Sequence, residues 1–159
     1  MKKSFDNDKL TIEKATQADW ELVLQILEEA GLKTYFTGNE NFRTFYTVKN
    51  PETKELICCF AIDYEKDIGI LKSFAVKKEL HGKGLGKIIV SKISDPAKRL
   101  GLKKLYATSW EAPNFWRKVD FIEIDPQDST DNYYLKYIKD LEKRFPQYTE
   151  TRKHFLLVI

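Results

Sequence analysis

The stretch Ile68-Gly69-Ile70-Leu71-Lys72-Ser73-Phe74-Ala75-Val76, followed by Lys77-Lys78-Glu79-Leu80-His81-Gly82-Lys83-Gly84-Leu85-Gly86-Lys87, reads as a strand running into glycines that open a helix. The first N–H groups of a helix have no partner within it and point out of its positive end, so they can converge on phosphate oxygens where glycine permits close approach. The spacing Gly82-x-Gly84-x-Gly86 is not that of a dinucleotide-binding Rossmann turn, and Gly86-Lys87-Ile88 lacks the hydroxyl residue that a P-loop places on magnesium. Taken alone, the cluster suits a plain tight turn as well as a phosphate cradle.

Working outward, Glu55 to Tyr64 and Phe42 to Val48 are two further strands, turned at Asn50-Pro51-Glu52-Thr53, and Glu65-Lys66-Asp67 turns the chain into Ile68–Val76. Three consecutive antiparallel strands therefore precede the glycines. After them Leu85, Ile89, Ile93, Ala97 and Leu100 keep one helical stripe to Gly101, with a break expected at Pro96 and a cap at Asp95. Leu105 to Thr108 is the next strand, and a helix between it and Ile68–Val76 makes the two a candidate right-handed parallel crossover. Upstream, Leu10 to Glu13 is a short strand. Thr16 or Asp19 caps a helix whose stripe is Trp20, Val23, Leu24, Leu27 and Ala30, and Leu32 to Asn41 is a loop or short second helix. Downstream come a short helix over about 113–119, a strand from Phe121 to Ile124, a helix striped by Tyr134, Ile138, Leu141 and Phe145, and a last strand from His154 to Ile159.

The chain has 159 residues, 42% of them hydrophobic and 32% charged, with 7 Gly and 5 Pro, a composition that excludes general disorder and suits one domain with one core. Residues 1–9 are expected to be a flexible extension. The longest apolar run, Leu56 to Ile62, is far short of a membrane span, and no secretory signal is evident, so the expected setting is cytoplasmic. Cys58 and Cys59 are adjacent, hence poor disulfide partners, and with His81 and His154 they make no zinc-ligand pattern; no metal is expected. The net charge of +3 is uneven. Between Lys72 and Lys104 ten Lys and Arg face only Glu79 and Asp95, a local +8 that leaves −5 for the rest of the chain. Such an island is a solvated face, a nucleic-acid surface or a site for a phosphorylated cofactor.

The run His81-Gly82-Lys83-Gly84-Leu85-Gly86 resembles the pyrophosphate loop of the GNAT family of N-acetyltransferases, Arg or Gln followed at fixed spacing by Gly and then Gly or Ala. Val76 matches the family's valine five residues earlier. Some thirty residues later Ala112-Pro113-Asn114-Phe115-Trp116-Arg117-Lys118-Val119-Asp120-Phe121 resembles the family's second block, a helix-to-strand passage. The resemblance implies an α/β (α+β) GNAT fold: a central mixed, mostly antiparallel sheet with a splayed parallel strand pair and helices on both faces. It also implies acetyl-CoA between Ile68–Val76 and Leu105–Thr108, with its phosphates on Gly82, Lys83, Gly84, Leu85, Gly86 and Lys87. Phe74, Ala75 and Val76 would line the pantetheine, and Lys78 would add to the neutralising charge.

Four positions depart from the family pattern. His81 replaces the Arg or Gln. Trp116 stands where many members carry a tyrosine that protonates the departing thiolate, and an indole N–H has no useful acidity; Trp116 then packs on the cofactor or in the core. Asp120 replaces a glycine. Ser109, where an asparagine is common, can still bond CoA or a water beside the sulfur. Asp63 and Glu111 are the candidates for taking the amine's proton. The implied activity is direct transfer of an acetyl group from acetyl-CoA to the primary amine of a small molecule, an amino acid among them. Tyr133, Tyr134, Tyr137 and Arg144 would cover the acceptor site, in a monomer or homodimer without membrane or nucleic-acid partners. The alternatives are a non-catalytic acyl-CoA-binding module of the same fold and, third, nucleic-acid binding through residues 72–104.

Overall fold

The computed structural model describes residues 9–159; of the expected flexible extension, residues 1–8 lie outside the described residues. Strands β1 (Ile12–Lys14), β2 (Phe45–Lys49), β3 (Leu56–Glu65), β4 (Ile68–Val76), β5 (Lys104–Ser109), β6 (Ile122–Ile124) and β7 (Lys153–Val158) form one sheet in the order β1-β2-β3-β4-β5-β7-β6. The β1–β2, β2–β3, β5–β7 and β6–β7 pairs are antiparallel and β4–β5 is parallel, which is the mixed sheet expected. The described residues divide into two compact units, 9–62 with Ser73–Ile93 and Asp63–Lys72 with Ser94–Ile159.

In the first unit, α1 (Trp20–Glu29) buries Val23, Ile26 and Leu27 in a cluster with Phe45, Leu56, Cys59, Ala61 and Ala75. Complete burial of Val23 and Leu27 stabilises by roughly 1.5–3 kcal/mol each. Thr16 and Asp19 act on the 3-10 turn Gln17–Asp19 that leads into α1, and the Asp19 side chain makes no cap bond to α1 itself: the Asp19 carboxylate accepts the Thr16 N–H at 2.8 Å and the Thr16 hydroxyl at 3.0 Å, and pairs with Lys49 at 2.9 Å. Burial opposes ionisation of Asp19, but the bonds from Lys49 and Thr16 outweigh it and hold the carboxyl below its usual range. β3 is buried at every residue from Leu56 to Ile62, which explains a continuous apolar run without alternation. Both thiols of Cys58 and Cys59 are free and fully buried. One expectation is corrected: Phe42–Thr44 is a 3-10 turn, not the start of β2, because Asn41 caps it by accepting the Arg43 N–H at 2.9 Å. The glycine segment leads into α2 (Leu85–Ser91), so Gly86 lies inside the helix.

In the second unit, α3 (Ser94–Arg99) carries Pro96 in its first turn, where a missing N–H costs nothing, and Asp95 lies within that turn instead of capping it. β4 and β5 pair from Ile68 with Lys104 to Leu71 with Ala107. β7, which returns after α5, and not β6 lies beside β5, with six residue pairs from Lys104–Val158 to Ser109–Lys153. α4 (Pro113–Arg117) places Trp116 against Phe121 at 5.2 Å between ring centroids and Phe155 at 6.3 Å. α5 (Asn132–Arg144) buries Tyr134, Ile138 and Leu141, three of the four expected stripe residues, while Phe145 falls at its C-cap. Tyr134 stacks on Tyr106 at 3.9 Å, with Ile70 and Ile138 completing the cluster. The Tyr106 hydroxyl donates to Asp131, which Lys104 also approaches at 3.1 Å. Burial and the Asp131 charge raise the Tyr106 pKa to about 12.

Candidate active site

The first unit holds the glycine loop. Midway along β4, Ser73 takes a left-handed φ of +54°, a conformation unfavourable for a residue with a Cβ and typical of a β-bulge that redirects a strand. It follows Leu71, the last β4 residue in register with β5, by two positions. Past Ser73, Phe74 stacks on Phe60 at 6.2 Å and Ala75 is buried. The Lys77 N–H bonds the Ile57 carbonyl at 2.8 Å, and the Lys77 ammonium is held by Glu55 at 2.5 Å and Glu79 at 2.9 Å, bonds that raise its pKa.

Lys78–Leu80 forms a 3-10 turn, after which His81 reaches back so that its Nε2 lies 2.7 Å from the Val76 carbonyl. A carbonyl only accepts, so Nε2 carries the proton. Gly82 and Gly84 have φ of +79° and +75°. A Cβ at either would meet nothing within 4 Å, so conformation, not crowding, makes these positions glycine. The first intrahelical bond of α2 runs from the Ile88 N–H to the Gly84 carbonyl at 3.3 Å, so the N–H groups of Leu85, Gly86 and Lys87 precede it. Lys78, Lys83 and Lys87 are exposed around this turn and make no ion pair among the described residues. The Leu85 side chain is buried, leaving only its backbone to a ligand.

The second unit holds a separate polar group. Asp63, near the end of β3, pairs with Lys72 of β4 at 2.5 Å, each side chain about one-third exposed (33% and 32%). The Lys72 ammonium also sits 4.7 Å from the centre of the Tyr137 ring. Tyr137 bonds the Thr108 side chain; burial, with a smaller contribution from Asp63, raises its pKa against the lowering effects of Lys72 and Thr108. Tyr133 is pushed up to about 12 by burial and by the charges of Asp63 and Glu65. Tyr134, by contrast, is buried with its hydroxyl 2.7 Å from Nδ1 of His154. Ser109 accepts the Ala112 N–H at 3.0 Å, closing the turn into α4 while keeping its own O–H to donate. Glu111 is exposed in that turn. Trp116 is 8% exposed, edge-packed against Phe115 and Phe121 and tilted against Phe155, a core position. Arg144 pairs with Asp140 at 3.4 Å along α5.

Thus the structure groups His81, Gly82, Lys83, Gly84, Leu85, Gly86 and Lys87 with the end of β4, and Asp63 with Lys72, Tyr133 and Tyr137. The sequence does not announce the left-handed backbone at Ser73, where no glycine stands, and its reading leaves out the Lys72 partner of Asp63. That partner had a signal: a two-residue turn at Lys66-Asp67 sets Asp63 opposite Ile70 and diagonal to Lys72. Among the described residues no group of three or more His, Cys, Asp or Glu could hold a metal ion, and no helix is long and apolar enough to cross a membrane.

A strand, a glycine turn and helices leading to a parallel neighbour form an α/β crossover, and comparison with known proteins gives the family. Residues 13–121 match the Acetyltransferase (GNAT) family. The chain belongs to that family. No curated protein sequence matches it significantly. Among solved structures, it is similar to N-acetylglutamate synthase from Neisseria gonorrhoeae complexed with coenzyme A and N-acetyl-glutamate. The TM-score is 0.71 and the identity 16%, over 99% of this chain and 36% of that one, so the chain spans about a third of the synthase. It is also similar to Rv2747 from Mycobacterium tuberculosis in complex with CoA and NLQ (TM-score 0.66, 19% identity, 94% of this chain and 99% of that one). A third is a GNAT-family acetyltransferase from Staphylococcus aureus Mu50 (0.64, 12%, 94% and 98%). At these identities the likeness shows the fold.

Proposed function

We propose that the chain acts as one acyl-CoA-binding domain and transfers the acetyl group of acetyl-CoA to a primary amine of a small molecule, an amino acid among the acceptors. The observation that carries this is the loop of the first unit: left-handed Gly82 and Gly84, the N–H groups of Leu85, Gly86 and Lys87 ahead of the first helical bond, and exposed Lys83 and Lys87. These donors and charges suit a diphosphate. Two of the similar structures hold coenzyme A, one with N-acetyl-glutamate, which supports the cofactor and the acceptor class.

Acetyl-CoA supplies an activated thioester carbonyl and a thiolate that departs readily. In this reading the backbone of β4 beyond Ser73, at Phe74 to Val76, lies along the pantetheine, and an N–H there stabilises charge developing on the carbonyl oxygen. His81 holds the Val76 carbonyl and so fixes the last residue of β4 relative to the loop. An attacking amine must be neutral, and Asp63 or Glu111 takes its proton directly or through water. Ser109 donates its hydroxyl to CoA or to a water beside the sulfur. Trp116 packs in the core and donates no proton.

That last feature also favours a second reading, a non-catalytic acyl-CoA-binding module. Release of CoA thiol on mixing acetyl-CoA with a panel of primary amines decides between them. Thiol release that depends on the amine supports transfer, whereas tight acetyl-CoA binding with no release on any amine leaves the binding module.

A further inference from the structure

Arg152, immediately before β7, is 4% exposed. Its backbone N–H bonds the Tyr148 carbonyl at 2.8 Å, one terminal nitrogen donates to the Phe145 carbonyl at 3.3 Å, and the guanidinium lies 5.4 Å from the centre of the Trp110 ring. Its Nε–H is buried and has no acceptor among the described residues. None of the ion pairs among those residues includes it. A guanidinium stays charged in proteins, so burying one with a bare N–H costs free energy that packing on an indole does not return. The other well-buried charge, Asp19, shows the usual outcome, a lysine at 2.9 Å and two bonds from Thr16.

The surroundings of Arg152 leave its charge unbalanced. Glu142, exposed on α5, acts on it from beyond ion-pair distance, as do the phenols of Tyr137 and Tyr134. Tyr137 in turn feels Lys72, Asp63 and Arg152. Lys72 and Asp63 neutralise each other at 2.5 Å, and Glu142 makes no ion pair with Arg152, so among the described residues no carboxylate is paired with this planar fork of donors. A carboxylate has the matching shape and charge.

We propose that Arg152 receives a carboxylate of the acceptor, so that the acceptor is a primary amine that also carries a carboxylate, an α-amino acid being the simplest case. This rests on the N-acetyltransferase reading and narrows it. An amine of the same skeleton without the carboxylate leaves the buried Nε–H bare, and discrimination follows from that unpaired group.

The test uses the full chain saturated with acetyl-CoA, and measures thiol release with the common L-amino acids and with matched amines lacking the carboxylate. Phenethylamine is matched to phenylalanine, 3-methylbutylamine to leucine and cadaverine to lysine. The expected kcat/KM for the best amino acid exceeds that of its partner amine by about 10- to 100-fold, as for a lost charged hydrogen bond. Arg152→Lys and Arg152→Gln collapse that ratio through KM while acetyl-CoA still raises Tm as in the wild type. Wild-type protein that uses the matched amines equally well overturns the proposal and leaves the N-acetyltransferase reading standing. Variants that slow amino acids and amines by the same factor also overturn it, assigning Arg152 to stability. If no amine turns over, the transferase reading fails, and the carboxylate is judged on Tm shifts given by the same compounds with CoA-saturated protein. A preference for the amino acids supports the Arg152 site, and equal shifts overturn it.

Discussion

The imidazole of His81 bonds back across five residues to the carbonyl of Val76 at 2.7 Å, tying the mouth of the glycine loop to the end of β4. The pair spans a 3-10 turn, Lys78–Leu80, that brings the chain round within hydrogen-bond reach. A histidine in place of the family's Arg or Gln thus has a structural task independent of any phosphate. His81→Ala should weaken acetyl-CoA binding by about 3- to 10-fold, the worth of one hydrogen bond, as read by calorimetric titration. An unchanged Kd would remove His81 from the positioning of the loop.

His154 supplies a pH signature. Burial first, then the Arg152 charge, lowers its pKa from the usual 6.5 to about 4, and it accepts the Tyr134 hydroxyl while neutral. Between those two values the unfolded chain binds a proton that the folded chain refuses. Stability is therefore intact above pH 6.5 and falls as pH drops toward 4, by about 3 kcal/mol at the limit. Urea midpoints measured from pH 7.5 to 4 should fall accordingly, and His154→Gln should flatten that slope. Parallel slopes for the two proteins would contradict the assignment.

Cys58 and Cys59 lie in the most enclosed part of β3, with burial raising the Cys59 pKa to about 12 and that of Cys58 well above its ordinary value. Thiolate is the reactive form, so native protein at pH 8 should react with a soluble disulfide reagent only as fast as it opens. Rates should rise in step with unfolding in urea. Rapid labelling of either thiol without denaturant would show that β3 is less covered than the structure has it.

Much of the fold was legible because its signals are local. The apolar run Leu56 to Ile62 and the boundaries of Ile68–Val76 follow from burial and turn residues, and the stripe of α5 from its period. The sequence pattern starts β2 three residues early because Phe42 and Phe45 look alike in sequence, whereas the Asn41 cap turns the chain between them. The order β5-β7-β6 was not legible, since periodicity says which face of a strand is apolar but not which neighbour it meets. At the site, glycines announced the loop by their conformational freedom, and Gly82 and Gly84 use it. Ser73 takes the same left-handed region without any such residue type, imposed by its surroundings. The grouping of Lys72, Tyr137 and Arg152 joins three distant segments and is a property of the fold alone.

The central claim is that the loop from Gly82 to Lys87 holds the diphosphate of acetyl-CoA. Gly84 has φ of +75° with open space where a Cβ would stand, so Gly84→Val changes the turn through its backbone without a clash. The deciding measurement is thermal unfolding of wild type and Gly84→Val with and without acetyl-CoA at a hundred times the wild-type Kd. The account predicts that the ligand adds about 2.7 kcal/mol to the wild type and almost nothing to the variant, whose ligand-free transition remains cooperative. An equal gain in both proteins would contradict it.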